Sequence, residues 1–356
     1  MVKTKISRNL IKRIFCIIIT GIMICLLSGC EKQPETEEIE KEQEDKIQIG
    51  FCFDSFLIER WERDRDIFVT TAKELGAEVN VQNANGDVNQ QIAQIEYLID
   101  KKMDAILIVG VDSDGLSEVV KKAKDAGIVV IAYDRMIYNA NVDLYISFDN
   151  EAVGRMMGEE LVKAGVKDGK VLILGGPTTD NNVSMVNAGF TKVMQENNNE
   201  IVDVMHADNW KPEYASDYIY EHADILDEID AIMCGNDSLA AHTVRVLAEK
   251  RKAGEILVTG QDAELEACQR IVEGTQLMTV YKPVEIQAKT AAECTMELIE
   301  GNRPEQINVS MSDGKYAVPG IVFEPVIVNA SNMDRVIIDS GFHLREDVYL
   351  NVGNAD

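Results

Sequence analysis

The sequence predicts an α/β fold of two doubly wound parallel-sheet lobes joined by a hinge, and three observations predict it. Short β-branched apolar runs alternate with helix-length segments from residue 47 to about 300. That alternation runs through 47–150 and starts again over 151–282, which means two domains and not one eight-unit barrel. Several strand-like runs also end in polar residues, and the carboxyl edge of an open α/β sheet is where ligands bind. The clearest is Ile128-Val129-Val130-Ile131-Ala132-Tyr133-Asp134-Arg135, an apolar strand that delivers an acid and a base to its end.

The first residues stand apart from this pattern. Lys3, Lys5, Arg8, Lys12 and Arg13 make a basic start without an acid, followed by an apolar stretch over 14–27. That stretch is short for a membrane span. It closes on Leu27-Ser28-Gly29-Cys30, which resembles the bacterial lipoprotein signal, in which the cysteine is acylated and becomes the new N-terminus. Residues 1–29 are therefore expected to be a signal peptide and Cys30 a lipidation site anchoring the chain to the outer face of the cell membrane. Residues 30–46 hold one aliphatic side chain, Ile39, among glutamates, lysines and glutamines, a composition that reads as a solvated acidic tether. Loss of residues 1–29 removes five positive charges and no negative ones, moving the formal net charge from −26 to −31. Such an acidic balance excludes nucleic acid as a partner and favours a soluble monomer.

From there the elements follow in order. Strands are expected at 47–53, 78–82, 105–109, 128–133 and 144–148, with helices at 60–75, 89–101, 116–126 and 151–163. The second set has strands at 171–174, 201–206, 231–234, 256–259 and 277–281, and helices at 183–196, 212–223, 238–250 and 264–273. Pro283 can open a last helix over 284–300. The first lobe is drawn as 47–150 plus about 284–312, and the second as 151–283 plus about 313–347. The irregular tail crosses back between them as part of the hinge.

No signature of catalysis appears. The four histidines are scattered, with no second ligand at metal spacing, and neither a nucleophile elbow nor a phosphate loop occurs. Gly175-Gly176-Pro177, after a strand, reads as a turn. Of seven cysteines, Cys16 and Cys25 fall in the signal and Cys30 at its end. The other four, Cys52, Cys234, Cys268 and Cys294, are too dispersed for a metal or redox motif. No enzyme activity, metal or cofactor is expected. What remains is a set of hydrogen-bonding strand ends without a reactive partner, which suits holding a ligand. A neutral polyol accepts and donates at every hydroxyl, so carboxylates, amides and guanidinium forks satisfy it, while aromatic rings cover its C–H faces. The only tryptophans, Trp61 and Trp210, come one from each lobe, at what read as corresponding strand-to-helix positions. Asp149 and Asp237 are read as caps of the helices that follow them, and Arg65 and Asp66 as a solvated helix face.

The motifs Glu59-Arg60-Trp61-Glu62-Arg63-Asp64-Arg65, Asn83-Ala84-Asn85-Gly86, Ala132-Tyr133-Asp134-Arg135-Met136, Asp180-Asn181-Asn182, Gly260-Gln261-Asp262-Ala263 and Val280-Tyr281-Lys282-Pro283 resemble the D-xylose-binding proteins of bacterial ABC sugar transporters, of the type I periplasmic-binding-protein fold. The likeness runs from about residue 47 to about 345. It implies that Arg60, Asp134 and Arg135 bond a pentose from the first lobe. Asp180, Asn182, Asn236, Asp262 and Lys282 would bond it from the second lobe and the hinge, with Trp61 and Trp210 over its faces. It also implies delivery to a transporter permease; a membrane histidine kinase reading the sugar-bound form is the alternative partner. The chain departs from that family at its lipoprotein-like start, as fits a cell without an outer membrane, and around Trp210, where the match is weakest.

Overall fold

The computed structural model describes residues 46–352. The expected signal peptide, Cys30 and almost all of the expected tether lie outside the described residues.

The first lobe is laid down as β1 (Ile47–Phe53), α1 (Arg60–Glu74), β2 (Ala77–Asn83), α2 (Val88–Asp100), β3 (Ala105–Ile108), α3 (Ser117–Asp125), β4 (Val129–Tyr133) and β5 (Leu144–Phe148). The second follows as α4 (Asn150–Lys163), β6 (Lys170–Gly175), α5 (Asn181–Glu196), β7 (Glu200–His206), α6 (Glu213–Glu221), β8 (Ala231–Cys234), α7 (Asp237–Glu249), β9 (Leu257–Gln261), α8 (Leu265–Glu273) and β10 (Met278–Tyr281). The chain then returns as α9 (Val284–Ile299), which packs on α1, β4 and β5. Strands β11 (Val309–Ser312), β12 (Ala317–Phe323) and β13 (Val326–Asn329) and the short α10 (Arg345–Val348) complete it.

Two sheets result, of order β11-β12-β5-β4-β3-β1-β2 and β13-β10-β9-β8-β6-β7. All pairings are parallel except the two outermost, β11 with β12 and β13 with β10. The central strands β3 and β8 are buried along their whole length, as strands covered by helices on both faces must be. Setting aside the terminal additions, the two orders are the same: second, first, third, fourth, fifth strand. The repeat extends to single hydrogen bonds. Before β3, Asp104 Oδ2 accepts the Gln48 N–H at 2.7 Å; before β8, Asp230 Oδ2 accepts the Lys170 N–H at 2.8 Å. In each sheet the first and third strands are adjacent although the second lies between them in sequence, which opens a crevice at their carboxyl ends. The two crevices face one another.

The boundary drawn from sequence at about 313 is corrected. Residues Gly320–Phe323 pair in parallel with Tyr145–Phe148, so β12 belongs to the first sheet, and the chain crosses to the second only before β13. Pro319 and Gly320 hid this strand, because proline cannot donate to a ladder. It is tolerated here since Pro319 is paired only with the edge strand β11. Helix α4, whose residues from 151 on are counted with the second lobe, packs on α5, β9 and β10 of that lobe.

Candidate functional site

The site is built from residues one step beyond the strands. Asp134 follows β4 and Asp262 follows β9, the fourth strands of their respective sheets, and both have a left-handed backbone, at φ 65° and 93°. Aspartate is among the few residues that accept this conformation. Each is pinned to the neighbouring strand, Asp134 N–H to Ile146 O at 2.7 Å and Asp262 N–H to Val280 O at 2.8 Å. The turn aims both carboxylates into the space between the lobes.

Arg60, at the start of α1, lies between them. Its Nη1 is 3.0 Å from Asp134 Oδ2 and 4.0 Å from Asp262 Oδ1. The rest of the guanidinium is held from behind. Asp64, one helical turn on, accepts from Nε and Nη2, both at 3.2 Å, and also takes the Tyr133 hydroxyl at 2.5 Å. Gln287 on α9 accepts from Nη2 at 2.8 Å and donates to Ile146 O at 3.1 Å. A fork clamped on two sides points its remaining nitrogen in a fixed direction.

Arg135 makes the second bridge. Its Nη1 donates to Asp54 Oδ2 at 2.8 Å and to Gly110 O at 2.9 Å, and its Nε lies 2.7 Å from Asp180 Oδ2, across the lobes but outside hydrogen-bond alignment. Asp180 caps α5 through the Asn182 N–H at 2.9 Å and takes the Trp210 indole N–H at 3.1 Å. Asn182 Nδ2 reaches Asp134 Oδ1 at 2.9 Å. Asn236 caps α7 through the Leu239 N–H at 2.9 Å, and Lys282 Nζ is 3.8 Å from Asp262 Oδ1. Away from these groups, Ser113 N–H donates to Thr179 O at 2.9 Å and Met136 N–H to Asn181 Oδ1 at 2.9 Å, also lobe to lobe. All ten sequence-predicted ligand residues are buried.

Eight charged groups share this interior: Arg60, Arg135 and Lys282 against Asp54, Asp64, Asp134, Asp180 and Asp262, each under a tenth exposed. Burial opposes the charge on Asp134, but Arg60, Lys282 and Arg135 together outweigh it and hold this carboxyl below its usual range. At Asp54 and Asp180 burial wins over Arg135, and at Asp64 it wins over Arg60, so these three are raised. Several buried polar atoms have no hydrogen-bond partner in the protein: Asp54 Oδ1, Trp61 Nε1, Asp134 Oδ2, Asn182 Oδ1, Asn236 Nδ2, Gln261 Oε1 and Asp262 Oδ1. They come from both lobes and include donors and acceptors, a mixture that suits hydroxyl groups, which can serve either.

Some expectations change. The two tryptophans are not at corresponding positions: Trp61 follows the first strand of its lobe, Trp210 the second. Trp61 is part of the hydrophobic core, 6.3 Å from the Phe53 ring centroid, with the Arg60 guanidinium 4.4 Å from its own. Asp149 does cap α4, through the Ala152 N–H at 2.9 Å. Asp237 does not cap α7, since Asn236 holds that place. Its carboxylate instead accepts from Thr279 Oγ1 at 2.7 Å, Gln276 Nε2 at 2.8 Å and the Glu264 N–H at 3.1 Å. Arg65 and Asp66 pair with each other on the surface. Cys52, Cys234, Cys268 and Cys294 are free, buried thiols. Among the described residues no cluster of histidine, cysteine or carboxylate side chains could hold a metal ion, and no helix is long and apolar enough to cross a membrane. Sequence reasoning missed Asp64, Tyr133 and Gln287. Asp64 had a signal, its i+4 spacing from Arg60 on one helix face; Gln287 had none, being brought in by the return of α9.

Residues 49–303 match the family model described as periplasmic binding protein domain. The chain is 40% identical over 309 residues to the D-xylose-binding periplasmic protein of Escherichia coli, covering 85% of this chain and 93% of that one. It is 38% identical over 309 residues to the protein of the same name from Haemophilus influenzae, covering 85% and 92%. Among solved structures, an ABC transporter solute binding protein of Clostridium phytofermentans with bound β-D-glucose superposes with a TM-score of 0.76 at 27% identity, covering 85% of this chain and 99% of that one. A carbohydrate transporter solute binding protein of Chloroflexus aurantiacus in complex with D-glucose gives 0.77 at 26% identity, covering 84% and 98%.

Beside the site, the buried Asp237 and the half-buried Glu264 form an acid pair whose carboxyls burial pushes up, to about 7 and about 8. Asp237 takes three donors while Glu264 takes one, from Ser238 Oγ at 2.7 Å, so Glu264 is the less stabilised anion of the pair. Glu264 has an ordinary value of 4.5. Between that value and about 8 the folded protein holds a proton that the unfolded chain has released, so stability falls as pH rises through this window. Melting temperature should therefore drop from pH 5 to pH 8.5 in the wild type and drop less in Glu264→Gln. Equal slopes for the two proteins would show that Glu264 carries no retained proton.

Proposed function

The chain belongs to the periplasmic binding protein family, and from that premise we propose that it captures D-xylose or a related pentose by closing its two lobes on it and delivers it to an ABC transporter permease. The observation that carries this reading is that buried donors and acceptors without a hydrogen-bond partner come from both lobes, with Asp134 and Asp262 among them on either side of Arg60. The names of the relatives support the choice of sugar, and their being binding proteins supports capture without turnover. A ligand favours the closed arrangement by as much as it binds that arrangement better, and groups contributed by both lobes supply the difference. Arg60, Asp134, Arg135, Asp180, Asn182, Asn236, Asp262 and Lys282 serve as the polar ligands, with Trp210 over one face. Trp61 acts through the Arg60 guanidinium that lies on it. The leader and Cys30 add the location: a lipid-held protein on the outer face of the membrane.

Two measurements test this. A charge-assisted hydrogen bond contributes about 1.5–3 kcal/mol, so Asp134→Ala and Asp262→Ala should each lose roughly tenfold to a hundredfold in calorimetric affinity for D-xylose. In a thermal-shift panel of xylose, ribose, arabinose, glucose and galactose, xylose should raise the wild-type melting temperature most. No response to any of the five sugars would sink the reading, and recovery of a histidine kinase in place of a permease with the cross-linked protein would redirect it from transport to sensing. For the anchor, Cys30→Ser should move the protein from the membrane fraction to the medium; unchanged retention would contradict lipidation at that residue.

A further inference from the structure

The Gly175-Gly176-Pro177 turn has no part in the binding set, yet it lies directly against Trp210. A Cβ placed on Gly176 would sit 2.3, 2.4 and 2.6 Å from Cζ2, Cη2 and Cε2 of the indole, and one on Gly235 would sit 3.2 Å from Cζ3. The indole thus rests on backbone, on two glycines at the ends of β6 and β8. Its position is set from three further directions. The indole N–H donates to Asp180 Oδ2 at 3.1 Å. The backbone beneath it is strained, with Asn209 at φ 52° and Trp210 at φ 59°, a left-handed conformation that is an outlier for a bulky side chain. Asn209 in turn touches the first lobe, where a Cβ on Gly86 would lie 3.1 Å from its Cγ. Free space beside the ring, bounded by Val183, Val186 and Gly176, amounts to about 10 Å³, about the room for one water molecule. A methyl group on the shelf therefore leaves the ring no room to step sideways.

We propose that this glycine turn is a shelf that positions the Trp210 indole against the ligand, making Gly176 a positioning residue that sets how large a sugar the cleft accepts. The inference rests on the reading of the cleft as a sugar site. With glycine the ring lies flush against the sheet end and the cleft has its full depth. With any larger residue the ring is driven toward Asp180 and the ligand, and the cleft becomes shallower.

The chain has only two tryptophans, so protein labelled with 5-fluorotryptophan gives two fluorine resonances, assigned by Trp210→Phe. Without sugar, Gly176→Ala should shift the Trp210 resonance and leave that of Trp61 in place. The same variant should bind D-xylose at least tenfold more weakly. Its melting temperature should fall, and that fall should vanish when Trp210→Ala is added, because the obstructing ring is gone. An unmoved Trp210 resonance with unchanged affinity would overturn the proposal. So would a thermal loss that is as large in the Trp210→Ala background, or a double variant that fails to fold when Trp210→Ala alone folds. If the wild type binds none of the sugars, the sugar reading falls while the sugar-free fluorine shift still decides whether the shelf exists.

Discussion

The guanidinium of Arg60, held between an aspartate from each lobe, is the constraint on which the rest of the site depends. A buried cation must be paired, and Arg60 is paired on every side: Asp64 and Gln287 behind, Asp134 and Asp262 ahead. Because Asp262 belongs to the other sheet, moving the lobes apart withdraws part of that pairing. The charge on Asp134, kept below the usual carboxylate range by Arg60, Lys282 and Arg135, depends on the same arrangement. Electrostatics thus ties the position of the lobes to the state of the site.

The two halves reach this arrangement by a shared plan. Fourth strands of equivalent rank end in Asp134 and Asp262, both left-handed and both bonded to the next strand through their N–H. Their first strands begin under equivalent clips from Asp104 and Asp230. The plan is broken where the site needs asymmetry. The first lobe contributes both arginines, whereas the second contributes Lys282, the amides Asn182 and Asn236, and the indole of Trp210. Contacts such as Ser113 with Thr179 and Asn181 with Met136 join the lobes without these groups, so closure also draws on protein–protein hydrogen bonds.

Much of this is legible in the sequence for a physical reason. Parallel strands buried on both faces must be continuously apolar, so β1, β3, β4, β8 and β10 announce themselves, and any polar residue at their ends is conspicuous. Asp134, Asn236, Asp262 and Lys282 are found that way. Arg60 and Trp61 fall on the helix after a strand, and motif likeness singles them out. The return strands are different. Edge strands carry weak patterns, and Pro319-Gly320 erases that of β12. The support of Arg60 by Gln287 depends on α9 crossing back over the first sheet, a long-range event with no local mark. The turn at Gly176 looks like any other turn until the ring of Trp210 is laid against it.

The most direct test of the central role of Arg60 is the coupling between its two partners. Xylose affinity would be measured by calorimetry for the wild type, Asp134→Asn, Asp262→Asn and the double variant. Groups that share one partner do not act independently. The account predicts that the double variant loses clearly less affinity than the two single losses combined, because either change already frees Arg60 from its fixed place. Losses that add to within about 0.5 kcal/mol would contradict it, and would mean that the two aspartates hold the sugar separately.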